Sequence, residues 1–404
     1  MFKLLFSGIC IIASLSLSAQ NAQQWRGSNR DGKYNETGLL KTWSADGLKL
    51  LWHFDSLGLG HSSPAILNDK IYITGTQGEQ GTIFTFDLSG KLLWKKEYGK
   101  EWFESFEGVR SSPMINEGKI YVLSSYGVLV CMNAENGEIF WSLDLMQKYN
   151  ARNIKWGFTE NLLIDGNMLF CCPGGEEYNV IALDKNTGNL IWKCAGKGEK
   201  SAYCSPLIIN RNNRKIFVTQ TESSILGIDI SDGKLLWTHE HPNKWSVQAN
   251  SPIYNDGSVY VFSGYGKGGE LLKLSDDGNS FAETWHDDSL DSKMGGAILL
   301  DGKIYGSGDA NKRWFCVDWN TGKVLYSSKM LKVGNVIYAD GLLYCYADDG
   351  TVGLVEPKEN EFNLISSFKV PFGEKQHWAH LVIDNKKLFV RHGNSLMVYS
   401  IGEM

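Results

Sequence analysis

A five-residue phrase, Gly-Lys-Leu-Leu-Trp or a near copy, recurs about every 45 residues along this chain of 404. The tryptophans are Trp52, Trp94, Trp141, Trp192, Trp237 and Trp285, and Tyr326 takes the next slot. Most follow a tight turn such as Asn186-Thr187-Gly188 or Asp232-Gly233. Between successive tryptophans falls Ser-Ser-Pro and then a phrase close to Gly-Lys-Ile-Tyr-Val. A period of this length made of short strands predicts a β-propeller, in which each small sheet buries its faces only against its neighbours.

Each repeat reads as four strands. In the first, the inner strand follows Ser62-Ser63-Pro64, the second covers 70–74, the third 82–88, and the fourth, with the tryptophan, 91–95. Inner strands start near Ser62, Ser111, Thr159, Cys204, Asn250, Gly295, Asn335 and Trp378. The last of these repeats lacks a fourth strand, whereas 48–54 is a fourth strand with no repeat before it. The expectation is an all-β, eight-bladed propeller of four-stranded blades, its ring closed by the N-terminal strand 48–54 joining the C-terminal blade, which leaves no open edge. The alternative is a truncated copy, or a miscounted seventh unit whose Leu364-Ile365 strand is degenerate. The repeating tryptophans then dock one blade onto the next, without any ligand.

The chain divides into an export signal (1–20), an N-terminal extension (21–47) and the propeller (48–404). Lys3, the apolar run 4–17 and Ser18-Ala19-Gln20 supply the signal's three parts. The run is too short to span a bilayer, and no later segment is apolar enough to do so. Cys10 follows a poor lipobox, Ser7-Gly8-Ile9. An exported protein, periplasmic or extracellular and not transmembrane, is expected. Net charge is −5 with no basic block, which argues against nucleic-acid binding.

The turns on one face of the disc are terse, and the loops on the other are long and irregular. The loop 96–110 holds Trp102, Phe103, Glu104, Phe106 and Glu107. The loop 147–158 holds Tyr149, Arg152, Lys155 and Trp156, and 239–248 holds His241, Trp245 and Gln248. Such loops on a regular scaffold carry function, so a site is expected there, above the central channel. Residues beginning the inner strands would line its mouth: His61, Arg110, Glu160, Tyr203, Asn250, Lys293, Asn335 and His377, with His380 deeper. That mixed polar ring suits a small anionic or polyhydroxylated ligand.

Cys171-Cys172 stand next to each other before Pro173-Gly174-Gly175. They form either a vicinal disulfide or a pair of strand neighbours facing opposite sides, and strand alternation favours the second. His377 and His380, three apart on a strand, would also face opposite sides, which argues against a shared metal. Asp348-Asp349-Gly350 and Asp287-Asp288 lack the spacing of a calcium loop.

The repeat, as in Ala182-Leu183-Asp184-Lys185-Asn186-Thr187-Gly188-Asn189-Leu190-Ile191-Trp192, resembles the pyrroloquinoline-quinone (PQQ) repeat of quinoprotein dehydrogenases, shared by the propeller of the outer-membrane assembly factor BamB. Trp25-Arg26-Gly27-Ser28-Asn29-Arg30-Asp31-Gly32 is similar to the start of exported PQQ-like proteins, some of them labelled polyvinylalcohol dehydrogenase. Trp156-Gly157-Phe158-Thr159-Glu160 resembles the same group. The likeness covers about residues 25–401. It implies PQQ held above the channel with calcium, with Cys171-Cys172 in the place of a vicinal disulfide and Glu160 in that of a calcium ligand. Arg110, Lys155, Trp156, Glu160, Cys171, Cys172, Trp245 and Asn250 are the cofactor-binding candidates, and His61, Tyr203, Lys293, Asn335, His377 and His380 the ligand-binding ones. No catalytic residue is assigned. Two functions follow: an exported scaffold binding a small polar molecule, glycan or protein through its long-loop face, or a PQQ-dependent dehydrogenase oxidising an alcohol or sugar. The first is preferred.

Overall fold

The computed structural model describes residues 23–403, so the expected signal at 1–20 lies outside the described residues. Eight separate sheets are present, and seven of them contain four consecutive strands of the chain. Blade 1 is Ala65–Leu67, Lys70–Gln77, Gln80–Asp87 and Leu92–Lys100. The inner strands of blades 2–7 are Met114–Asn116, Leu163–Asp165, Leu207–Arg211, Ile253–Asn255, Ile298–Leu300 and Gly334–Ala339. Blade 8 takes Val382–Asp384, Lys387–His392 and Ser395–Ser400 from the end of the chain. Its outer strand is β2, Lys49–Phe54, paired antiparallel with Ser395–Ser400. The eight-bladed count and the closure are both present. The seventh repeat, degenerate in sequence, still forms a complete outer strand, Phe362–Lys369.

The blades share one local device. In every blade the pairing of the third and fourth strands slips by one residue at the repeat phrase. The slip is a β-bulge, which twists the outer strand and spoils it as a template for another chain. The extra residue points outward, so Leu51, Leu93, Phe140, Ile191 and Leu325 are exposed. The aromatic that follows turns inward onto the next blade. Trp52 Nε1 donates to Leu88 O, Trp141 to Lys185 O, Trp192 to Ile230 O and Trp285 to Trp319 O, at 2.8–3.1 Å. The repeat's turn glycine has two jobs at Gly188 and Gly233. Both have positive φ (71° and 77°), and an added Cβ would sit 3.0 and 2.6 Å from the rings of Trp141 and Trp192.

The Ser-Ser-Pro phrase ties blades together around the channel. Ser63 N donates to Ser112 Oγ, Ser112 N to Asn161 Oδ1, Asn161 Nδ2 to Ser205 Oγ, and Ser251 Oγ to Ser205 O. This belt joins blades 1 to 5 in order.

The extension follows an unexpected path, because it fills the channel. Gln23 O accepts from Ile115 N, and the chain then turns through Arg26 and Gly27, both at positive φ. It returns as β1, Lys33–Tyr34, which pairs parallel with the channel edge of Gly334–Ala339. It then crosses the terse face, where Leu40 N donates to Ile401 O, before entering β2.

Candidate functional site

The long-loop face carries a cavity of about 400 Å³ above the channel. Every loop that leads into an inner strand contributes, except the one entering blade 7. The walls are aromatic: Trp25, Phe106, Trp156, Tyr203, Trp245, Tyr265 and Trp378. The cations are Arg110 and Lys293, and among the described residues no carboxylate lines the cavity.

Each wall has its own support. Arg110 Nη2 donates to Ser105 O and Phe106 O, which holds Phe106 at φ 47° with its ring 5.1 Å from that of Trp378. Tyr203 OH donates to Trp156 O at 2.9 Å, and Trp156 meets Trp245 edge-on at 6.0 Å. Burial pushes the Tyr203 hydroxyl up to about 12. Lys293 Nζ lies 3.1 Å from Asp309 Oδ1, on blade 6.

Two histidines complete the cavity, both neutral for the same reason. Burial, then the nearby charges of Arg110 and Arg391, lowers His61 to about 3. Among the described residues neither of its ring nitrogens makes a well-formed hydrogen bond, although the Phe106 backbone lies near enough to oppose the shift, and the ring lies 5.0 Å from Trp378. Burial, then Arg26, lowers His380 to about 3 as well. Its Nε2–H donates to Met294 O at 2.9 Å and its Nδ1 accepts from Arg26 Nη1 at 3.2 Å, which fixes the tautomer.

Of the residues singled out from the sequence, the cavity brings together His61, Arg110, Trp156, Tyr203, Trp245, Lys293 and His380. Lys155 is exposed and lies outside the cavity lining. Asn250 and Asn335 are fully buried and face backbone: Asn250 Nδ2 donates to Phe262 O and Ser292 O, and Asn335 Nδ2 to Ala379 O. They brace the loops from below and do not line the mouth. His377 is on a loop, not a strand, and is turned away. It stacks on His392 at 3.6 Å and its Nδ1 pairs with Tyr346 OH at 2.7 Å. Sequence reasoning missed Trp25, Phe106, Tyr265 and Trp378 as site residues. Phe106 already stood in an aromatic-rich loop, whereas nothing along the chain placed Trp25 under the mouth.

The implied cofactor fits in part. A flat aromatic floor and two cations suit a planar polyanion such as PQQ, which Trp25, Trp156, Arg110 and Lys293 would hold. Calcium does not fit there. Glu160 is buried beneath the cavity, its Oε1 accepts from Cys172 N at 2.8 Å, and burial raises its carboxyl to about 7. Among the described residues no group of three or more His, Cys, Asp or Glu is arranged to hold a metal. Cys171 and Cys172 are free thiols. Cys171 belongs to the core between blades 2 and 3 and Cys172 to that between blades 3 and 4, so strand alternation separates them and the vicinal disulfide is absent.

A family model described as outer membrane protein assembly factor BamB matches residues 79–328, more than half of the chain. Quinoprotein alcohol dehydrogenase PedH of Pseudomonas putida is 24% identical over 301 residues, 70% of this chain and 46% of that protein. BamB of Moranella endobia is 24% identical over 224 residues, 51% of this chain and 54% of that one. The chain thus spans about half the length of the curated relatives it matches. The solved quinohemoprotein alcohol dehydrogenase from Comamonas testosteroni superposes with a TM-score of 0.69 at 11% identity, covering 95% of this chain and 81% of that one, which shows a shared fold. By its family match, this chain belongs to the PQQ-like repeat propellers described as outer membrane protein assembly factor BamB.

Proposed function

We propose that this protein is an exported binding propeller whose long-loop face receives a flat, anionic ligand in the cavity above the channel. The observation that carries this reading is the composition of the wall: seven aromatic rings, two cations and, among the described residues, no carboxylate. Aromatic faces bury a planar ring without demanding directional bonds, and low-dielectric walls strengthen the attraction of Arg110 and Lys293 for an anion. The volume, about 400 Å³, suits a compact multi-ring compound or one large side chain of a protein partner. Binding alone needs nothing beyond these residues.

A second reading is PQQ-dependent oxidation of an alcohol or sugar. It is favoured by the alignment with PedH over 70% of this chain. Bound PQQ would supply the redox chemistry, while the chain's own residues would stack on it and neutralise its charge. Among the described residues the wall has no carboxylate to act as base, and burial lowers both of its histidines to about 3, which is why binding is the preferred reading.

The test is a quenching titration of the tryptophan fluorescence with PQQ, followed by an alcohol and sugar screen with an electron-acceptor dye. Saturable quenching without dye reduction supports the binding reading. Dye reduction that requires PQQ supports the second. No quenching removes the planar-anion ligand.

A further inference from the structure

The cavity's floor is not part of the propeller. It is Trp25, carried by a loop that enters the channel from the terse face and leaves by the same face. Gln23 meets the inner strand of blade 2 at Ile115, and Tyr34 meets that of blade 7 at Ala339. The apex between them holds Trp25 and Arg26. The loop also divides the channel: Trp25 lines the upper cavity, while Arg26 and Arg30 line a second cavity of about 300 Å³ below.

This loop cannot hold its shape alone. Arg26 and Arg30 have left-handed backbones, φ 62° and 58°, which cost about 1–2 kcal/mol each for residues with a Cβ. Its internal backbone bonds are three, from Gly27 N to Gln24 O, Arg30 N to Gly27 O and Gly32 N to Arg26 O, and its side chains add Gln24 Nε2 to Ser28 O, Arg30 Nη1 to Gln24 Oε1 and Lys33 N to Asp31 Oδ1. The rest of its order comes from the blades. Arg26 donates to Val336 O, Ala297 O and His380 Nδ1, on blades 7, 6 and 8, and to Asp31 O within the loop. Arg30 donates to Asn161 O and Leu162 O at blade 3. None of these acceptors is a carboxylate. A buried guanidinium held by carbonyls is a costly way to fill space but an exacting way to fix position, since the planar fork needs several acceptors at once.

We propose that residues 23–34 are a seated plug that completes the binding cavity, so that seating of the plug and occupation of the cavity form one linked equilibrium, with Arg26 as the positioning residue. The ligand half of this claim rests on the function proposed above. A ligand stacked on Trp25 binds only the seated state, and must therefore hold the plug in place by its own free energy of binding. Unseating removes the floor and joins the two cavities.

The experiment is hydrogen exchange by mass spectrometry on the full chain, reading a peptide that covers 23–34, with and without PQQ as probe. Arg26→Ala removes the fork. Arg26→Lys, a milder variant, keeps the charge but loses most of the acceptors. In the wild type the peptide is expected to be protected, and PQQ at 100 times its Kd slows its exchange by about 100-fold. Each variant exchanges this peptide at least about tenfold faster, leaves the peptide covering Lys119–Leu123 unchanged, and binds PQQ at least about tenfold more weakly. Two results overturn the inference: a wild-type plug that exchanges as fast as an unstructured peptide, or variants whose plug exchange and PQQ affinity both equal those of the wild type. PQQ that binds without slowing the plug overturns the linkage and leaves the proposed function standing. Absence of PQQ binding overturns the proposed function and the linkage together, while the variants' exchange still decides whether Arg26 seats the plug.

Discussion

The indole of Trp25 lies 4.8 Å from the imidazole of His380, the two rings tilted by 60°. One ring belongs to the plug and the other to the loop entering blade 8, so this contact joins the N-terminal loop to the ring closure. Because burial lowers His380 to about 3, the folded protein leaves it neutral where the unfolded chain protonates it, and stability is lost as pH falls from 6.5 towards 3. His380→Gln keeps a donor for Met294 O and an acceptor for Arg26 but does not titrate. Urea unfolding should show the wild type losing about 1.4 kcal/mol per pH unit relative to this variant below pH 6.5. Parallel curves would show that the imidazole titrates normally.

Glu160 has the opposite sign. Its carboxyl is raised to about 7, so the folded state keeps a proton that the unfolded chain has released, and stability falls as pH rises from about 4.5 to 7. Glu160→Gln retains an acceptor for Cys172 N. It should become more stable relative to the wild type across that window, by roughly 1–3 kcal/mol in urea titrations. A constant difference between the two proteins would mean that Glu160 is ionised throughout.

Blade docking predicts a large effect at one ring. Trp192 is buried and bonded to Ile230 O at 2.8 Å. Trp192→Ala should cost about 3–5 kcal/mol in chemical unfolding, as for other large-to-small core changes. Gly233→Ala should destabilise the same wedge from the other side, since its Cβ would meet the indole at 2.6 Å. A loss below about 1 kcal/mol for Trp192→Ala would mean that the blades dock without it.

The free thiols make a simpler prediction. Cys171 and Cys172 lie in different cores, and burial raises both well above the usual thiol range. Dithiothreitol should leave Tm unchanged, and alkylation in denaturant should label both. A bridged Cys171-Cys172 peptide in the mass spectrum would contradict their separation into two cores.

The ring was legible because its determinants are side chains that repeat. The tryptophans, turn glycines and Ser-Ser-Pro phrases recur in register, and even the stray strand at 48–54 revealed the closure. The aromatic and cationic character of the loops was also readable. The plug was not, because Arg26 and Arg30 bind backbone carbonyls of distant segments, such as Val336 and Leu162, and carbonyls leave no mark on side-chain identity. The same reasoning explains Asn250 and Asn335. Polar residues at inner-strand starts read as channel lining, whereas in the folded protein their amides satisfy loop carbonyls beneath the mouth. Only the three-dimensional path of each loop separates those two fates.

The most direct measurement is calorimetry of the purified protein with PQQ, with and without calcium, beside the Lys293→Met variant. Micromolar or tighter binding that does not depend on calcium and weakens about tenfold or more in the variant is the result predicted by a cavity with cations and no carboxylate. No heat of binding in either condition, or binding that requires calcium and ignores Lys293, would contradict it.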